Sequence, residues 1–389
     1  MSVAAQDDTE FLAAVRRVGD EIARAHADDV DRNARFPVET IDALREERAL
    51  SAYVPRELGG AGVGLETIAH ACFELGRCCG ASAMVFAMHQ IQVATLARHR
   101  ESGWFDAYLR DLVSEQRLIA SVTSEVGTGG DMGRSIAAVT PGDAGLVTFE
   151  KQAPTVSYGH YADDLLTTLR RSPDAEPGDQ VCALTRRGQH ELEQNGTWDP
   201  LGMRGTCSPG NVVRAELPAE QVLATEFSVV MNESMVPVSH ILWSHLWLGI
   251  ATDAFDRARS FVRAAARRAP GGTPPAAVRL SHVLSELSLL RAEVDSGLRD
   301  FATADAAERA RLSQLATILR FNNLKIAASE QAPRVCQGAL AVTGIVGFKN
   351  DTPFSVGRHL RDTMSACLMV ANERIHQTNA SLLLVAKEV

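Results

Sequence analysis

At 389 residues the chain is longer than one ordinary hydrophobic core, so two or three packed subdomains are expected. Hydrophobic residues make up 46 % and charged residues 22 %, and no tract approaches the roughly eighteen uninterrupted apolar residues of a membrane span, so a soluble protein with no membrane partner is expected. The balance of 39 basic against 48 acidic residues, net −9, argues against a nucleic-acid surface and leaves any anionic ligand to local arginines.

The opening MSVAAQDDTEF has acids where a secretion signal has lysines, and no apolar stretch follows, so a cytoplasmic location is expected. Residues 9–28 place apolar side chains at three and four spacing, the pattern of an amphipathic helix. FPVETIDALREERAL repeats it after a proline suited to a first turn, VPRELGGAGVG breaks it, and 64–78 and 82–99 resume it. From Leu118 the texture changes to short β-favouring runs, in IASVTSEVGTGGDMG, SIAAVTPGDAGLVTFEKQA, DLLTTLRRS, QVCALTRRG and NVVRAELP, divided by Gly, Pro, Asp and Asn turns. Helical periods return after about residue 228, in 234–266, 276–303, 306–341, 354–369 and 373–387. The expected organisation is α+β: a helical domain over 1–116, a β domain over 117–227 and a helical bundle over 228–389. Seven cysteines, an odd number without CxxC spacing, read as free thiols, with no metal site.

The segments YVPRELGGAGVGLETIAHACFELGR, IASVTSEVGTGGDMG, WDPLGMRGTCSPGNV with LPAEQVL, NNLKIAASEQAPRV and GIVGFKNDTPFSVGRHLRD stand in one order along nearly the whole chain. In that order they resemble the acyl-CoA dehydrogenase family. The resemblance implies an N-terminal helical domain, a β-barrel-like middle domain and a C-terminal four-helix bundle, with FAD bound and a homodimer or homotetramer.

VTSEVGTGGDMG has a physical reading of its own, since hydroxyls and unhindered glycine backbone on a turn can bring N–H donors close to a planar polar ligand. The resemblance implies flavin contacts around Thr123, Ser124 and Gly130, with Gly130 standing where Ser is usual. By spacing from Lys151, Thr155 takes a hydroxyl position beside the flavin, Ala153 replaces a Trp, and Tyr158 or His160 either fills the gap or lies in an exposed loop. Arg267 matches an Arg that reaches the cofactor pyrophosphate across a dimer interface, as suits a guanidinium fork, although Pro270 replaces the Phe of that segment. Gly344 and Gly347 match a turn passing the adenine half of FAD, with Ile345 in a usual Gly position and Ala341 in a usual Gln position.

The general base of such enzymes stands nine residues after the Arg of the Arg361–Asp362 pair. That position is Val370, and Ala371 and Asn372 replace the Gly and Thr that follow the base, Asn372 keeping a cofactor-side place. The alternative base position, ten residues before Gly249, falls on Ser239, followed by His240. A valine accepts no proton, so the candidates are Glu373, otherwise a first-turn acid after a capping Asn, and His240, otherwise a structural histidine. His89 is a further histidine that either faces the cavity or packs a helix.

Three activities follow from the resemblance. The first is an FAD-dependent oxidoreductase acting on an acyl thioester, carried by CoA or by an acyl-carrier protein, with a non-standard base or a decarboxylating substrate and with electron-transfer flavoprotein or oxygen as acceptor. The second is a flavin-dependent monooxygenase on the same fold. The third is a flavin-binding protein without activity that works in a complex.

Overall fold

The computed structural model describes residues 8–101, 103–268 and 272–386. Pro270 and Gly271, which set the register for Arg267, lie outside the described residues.

The N-terminal helices are α1 (Asp8–Arg17), α2 (Arg24–Arg32), α3 (Val38–Glu46), α4 (Leu65–Gly76), α5 (Gly80–His99) and α6 (Gly103–Glu115), with a π-type stretch, Val18–Ala23, joining the first two. They form where the apolar spacing predicts them: Ile68, Ala69, Cys72 and Leu75 make the buried stripe of α4. The strands are β1 (Ile119–Val122), β2 (Thr140–Pro141), β3 (Leu146–Ala153), β4 (Asp164–Arg170), β5 (Gln180–Arg186), β6 (His190–Gln194) and β7 (Asn211–Pro218). One sheet runs β1-β4-β5, with β1 parallel to β4, and the other runs β2-β3-β7-β6. β4 and β5 are buried on both faces, which is why DLLTTLR and QVCALTR read as near-continuous apolar runs. The sequence gives no sign of β6, because HELEQ is mostly exposed and is held at the sheet edge by pairing with β7.

The C-terminal helices are α7 (Phe227–Val230), α8 (Val236–Arg268), α9 (Ala276–Ala307), α10 (Leu315–Thr343), α11 (Ile345–Phe348), α12 (Gly357–Met364) and α13 (Asn372–Leu383). α8 crosses α4 by reciprocal close approach: a Cβ on Gly76 would lie 2.5 Å from the Leu246 carbonyl oxygen, and one on Gly249 would lie 2.2 Å from that of Phe73. Only glycine permits backbones to meet so closely. α9 turns Val283, Leu287, Leu290 and Val294 inward toward α10.

α12 stops at Met364, five residues short of the helix its periodicity predicts. Ser365 Oγ turns back to the Asp362 carbonyl at 2.6 Å, and Val370 takes a left-handed backbone, φ 45°, which no helix accommodates. The charged pair near the end of this helix bonds in two directions. Arg361 reaches Asp31 of α2, at 2.9 Å for one of two contacts, while Asp362 accepts the Met203 N–H at 2.7 Å and is pushed up to about 6 by burial.

All seven cysteines are free thiols, five of them buried. Among the described residues no helix is long and apolar enough to cross a membrane, and no cluster of residues suits a metal ion.

Candidate functional site

The site is built where the turn after β1, the end of β3 and the start of α13 converge. β3 points alternate side chains inward, and one is Lys151, whose ammonium is fully buried. It donates to the Thr168 carbonyl at 2.6 Å, to Thr168 Oγ1 at 3.0 Å and to the Thr123 carbonyl at 3.4 Å, with Glu125 at 3.7 Å. Burial lowers its pKa to about 8, against the attraction of Glu125. The Glu125 carboxylate accepts Ser135 Oγ–H at 2.7 Å, Ile136 N–H at 3.0 Å and Ala137 N–H at 2.6 Å. Residues 123–137 are thereby closed into a loop braced from beneath.

On the outer side of that loop Gly127, Gly129 and Gly130 have φ of 91°, 62° and 83°, conformations that side-chain-bearing residues avoid. Ser124 Oγ donates to the Thr155 carbonyl at 2.8 Å and lies 3.2 Å from Thr155 Oγ1. Ser124 and Thr155 are thus brought together, beside Thr123.

The start of α13 meets the same loop. The Arg374 guanidinium lies against Gly129, where a Cβ would stand 2.6 Å from Nη2, and approaches Gly130, where a Cβ would stand 3.9 Å from Nε. Beneath Arg374, Asn372 does not cap its helix: Ala371 holds that position without a side-chain bond. Asn372 Oδ1 instead accepts the Lys325 ammonium at 2.7 Å, and its Nδ2 donates to Ser329 Oγ at 3.1 Å. Lys325, fully buried on α10, also donates to the Val370 carbonyl at 3.0 Å, and burial lowers its pKa to about 8. This bond holds the left-handed turn at Val370. The sequence hides both Arg374 and Lys325, one behind a neighbouring candidate base and the other inside NNLKIAASEQ, because their partners are far along the chain.

The candidate bases do not converge. Glu373 is exposed in the first turn of α13, where an acid is favoured by the helix dipole. His240 is 2 % exposed with Nδ1 bonded to the Phe321 carbonyl at 3.0 Å, and burial together with the Lys325 charge pushes it down to about 3. His89 uses both ring nitrogens on backbone, accepting Ile119 N–H at 3.0 Å and donating to the Leu50 carbonyl at 2.8 Å, so it packs a helix. Ser239 Oγ turns back to the Val236 carbonyl at 2.8 Å.

Tyr158 lies in no exposed loop: it is fully buried and donates to the Ile119 carbonyl at 3.0 Å, while His160 is exposed and bonds Asn211 at 3.0 Å. Arg267 ends α8 exposed, without a hydrogen bond or ion pair among the described residues. Gly344 and Gly347 form the junction of α10 and α11, with Ile345 standing 69 % exposed between them and the Ala341 carbonyl taken by Arg279 at 2.7 Å.

Residues 5–116 match the family model for the acyl-CoA dehydrogenase N-terminal domain. Over 98 % of this chain and 91 % of its own, the cyclohex-1-ene-1-carbonyl-CoA dehydrogenase of Syntrophus aciditrophicus (strain SB) is 23 % identical. The family model thus covers the N-terminal helical domain, and the whole chain is similar to a member of that family. Other proteins similar to this chain carry different names. The amino sugar nitrososynthase DnmZ of Streptomyces peucetius is 25 % identical over 89 % of this chain and 85 % of its own. The FMN-bound dibenzothiophene monooxygenase TdsC from Paenibacillus sp. A11-2 superposes with a TM-score of 0.82 at 20 % identity, over 96 % of this chain and 97 % of that one. This chain has Val370 where the resemblance puts the carboxylate base.

Proposed function

We propose that the chain is a flavin-dependent monooxygenase. The observation that carries the reading is the aliphatic residue at position 370, held in its turn by Lys325, while Glu373 is exposed and His240 is locked in the core as a neutral imidazole. None of these groups is poised to take an α-proton from a thioester. The residues present suit a flavin: the glycine turn with Arg374 beside it offers N–H and guanidinium donors, and Ser124 and Thr155 offer hydroxyls. When bound and reduced, it supplies the two electrons that let dioxygen place one atom in a substrate and release the other as water. The residues of this chain hold and orient it: Lys151 and Glu125 brace the turn, and Lys325 and Asn372 seat α13 against it. The monooxygenase and nitrososynthase relatives support this reading, and the CoA-ester dehydrogenase relative supports the dehydrogenase reading.

The test has an anaerobic arm with thioesters and an aerobic arm with the reduced protein. A panel of CoA and carrier-protein thioesters is expected to leave the flavin-loaded protein yellow, whereas the protein reduced by NADH and a flavin reductase is expected to consume oxygen with an oxygenated product. Val370→Glu is expected to confer bleaching by simple acyl-CoAs. Thioester bleaching of the unaltered protein would restore the dehydrogenase reading, with FAD and a displaced base.

A further inference from the structure

A cavity of about 30 Å³, room for roughly two water-sized groups, opens where α2, α8 and α12 meet. Four guanidiniums line it, Arg32 from α2, Arg257 from α8 and Arg358 and Arg361 from α12, against the two carboxylates of Asp28 and Asp31. The charges packed behind them are Asp253 and Asp362 on the acidic side and Arg24 on the basic side. Five arginines thus meet four aspartates, which leaves one positive charge in excess.

The excess is concentrated on two of these side chains. Arg361 is taken up by Asp31, and Arg257 by Asp253 at 2.8 Å and the Ser355 carbonyl at 3.0 Å. Arg32, exposed at the rim, has no hydrogen bond or ion pair among the described residues. Arg358 is only 9 % exposed, yet it reaches Asp28 and the Cys78 carbonyl at 3.4 Å each, long for bonds from a charged donor. The Asp28 side chain is 66 % exposed, so water screens its hold on that guanidinium. The Asn350 amide and the Ser355 hydroxyl line the same cavity, and neither side chain has a hydrogen-bond partner among the described residues. A charge withdrawn from water with its bonds left long is costly, and unspent donors around it mark where a negative group would offset that cost.

We propose that this cavity binds one small monovalent anion of chloride size, which fastens α2 to α12. The single charge in excess and the small volume both favour such an ion over phosphate or sulfate, which bring five heavy atoms and about two charges. The inference does not draw on the flavin reading.

The full chain is unfolded with urea at pH 7.5 and constant ionic strength while sodium chloride replaces sodium gluconate, whose anion is too large for the cavity. The unaltered chain is expected to gain stability, its unfolding equilibrium constant falling about tenfold for each tenfold rise in chloride above the dissociation constant. Arg32→Gln, at the exposed rim where the fold does not depend on it, is expected to raise that dissociation constant about three- to tenfold. Arg110→Gln, an equal loss of charge on α6, which does not line the cavity, is expected to leave it unchanged. In crystals grown with bromide for chloride, one anomalous scatterer is expected between Arg32 and Arg358. Stability independent of chloride, an unaltered chloride dependence in Arg32→Gln, or a cavity holding no bromide overturns the inference. Stabilisation by phosphate without any by chloride overturns it as well, because the ion would then be of another size and charge.

Discussion

Val370 is a β-branched residue in the left-handed region, a conformation that costs about 1 kcal/mol or more and is kept because Lys325 fixes its carbonyl. Asparagine tolerates that backbone far better, so Val370→Asn is expected to raise unfolding stability by about 1 kcal/mol in urea titrations. A loss would mean that the packing of the valine side chain outweighs its strain. The position itself was legible, because counting from Arg361 needs only a sequence register. The strain was not, since it arises from a lysine 45 positions upstream. His240 shows the same limit: its spacing fits a base, but the backbone carbonyl that claims it belongs to another helix.

At the scale of elements, Asp253 on α8 is the point where three remote helices meet. It accepts His359 Nε2 of α12 at 2.7 Å, Arg24 of α2 at 3.0 Å and Arg257 at 2.8 Å. Burial works against its ionisation, but the bond from His359 and the neighbouring charges outweigh it and hold the carboxyl well below its ordinary range. A depressed carboxylate contributes stability that is present above the unfolded pKa, about 4, and is lost as pH falls. Asp253→Asn is therefore expected to destabilise the fold by about 3 kcal/mol at pH 7, with a gap from the unaltered chain that narrows below about pH 4. Chemical denaturation at the two pH values measures it, and a gap independent of pH would show that shape, not charge, matters at this junction. Most helices were legible from period alone, as with Val283, Leu287, Leu290 and Val294. The early end of α12 and the edge strand β6 were not, because each is set by bonds to other segments.

Across the whole molecule, burial lowers His89, His99, His245 and His359 to about 4 and His240 to about 3. Each is neutral when folded and free to charge when unfolded, so the unfolded chain binds more protons below about pH 6.5 and stability falls as pH drops through that range. The loss is on the order of 1.4 kcal/mol per pH unit for each histidine, with Asp362, raised to about 6, acting in the opposite sense. Urea midpoints at pH 7.5 and 5.0 measure it, and equal midpoints would refute the account. The outer face of α9 is apolar or small at Val278, Ser281, Ser285, Leu289 and Ala292, with Val278 and Leu289 63 % and 64 % exposed. A dimer through this face is expected, and Leu289→Glu is expected to shift sedimentation toward the monomer. A monomeric unaltered chain would contradict it. The ion pairs of Arg358 with Asp28 and of Arg361 with Asp31 each span 330 positions. During synthesis, therefore, the first helices leave the ribosome long before the segment that fastens them exists. At 5–20 residues per second, α2 waits on the order of 15 to 70 s for α12, with its polar anchors unmatched and its apolar stripe open to chaperones.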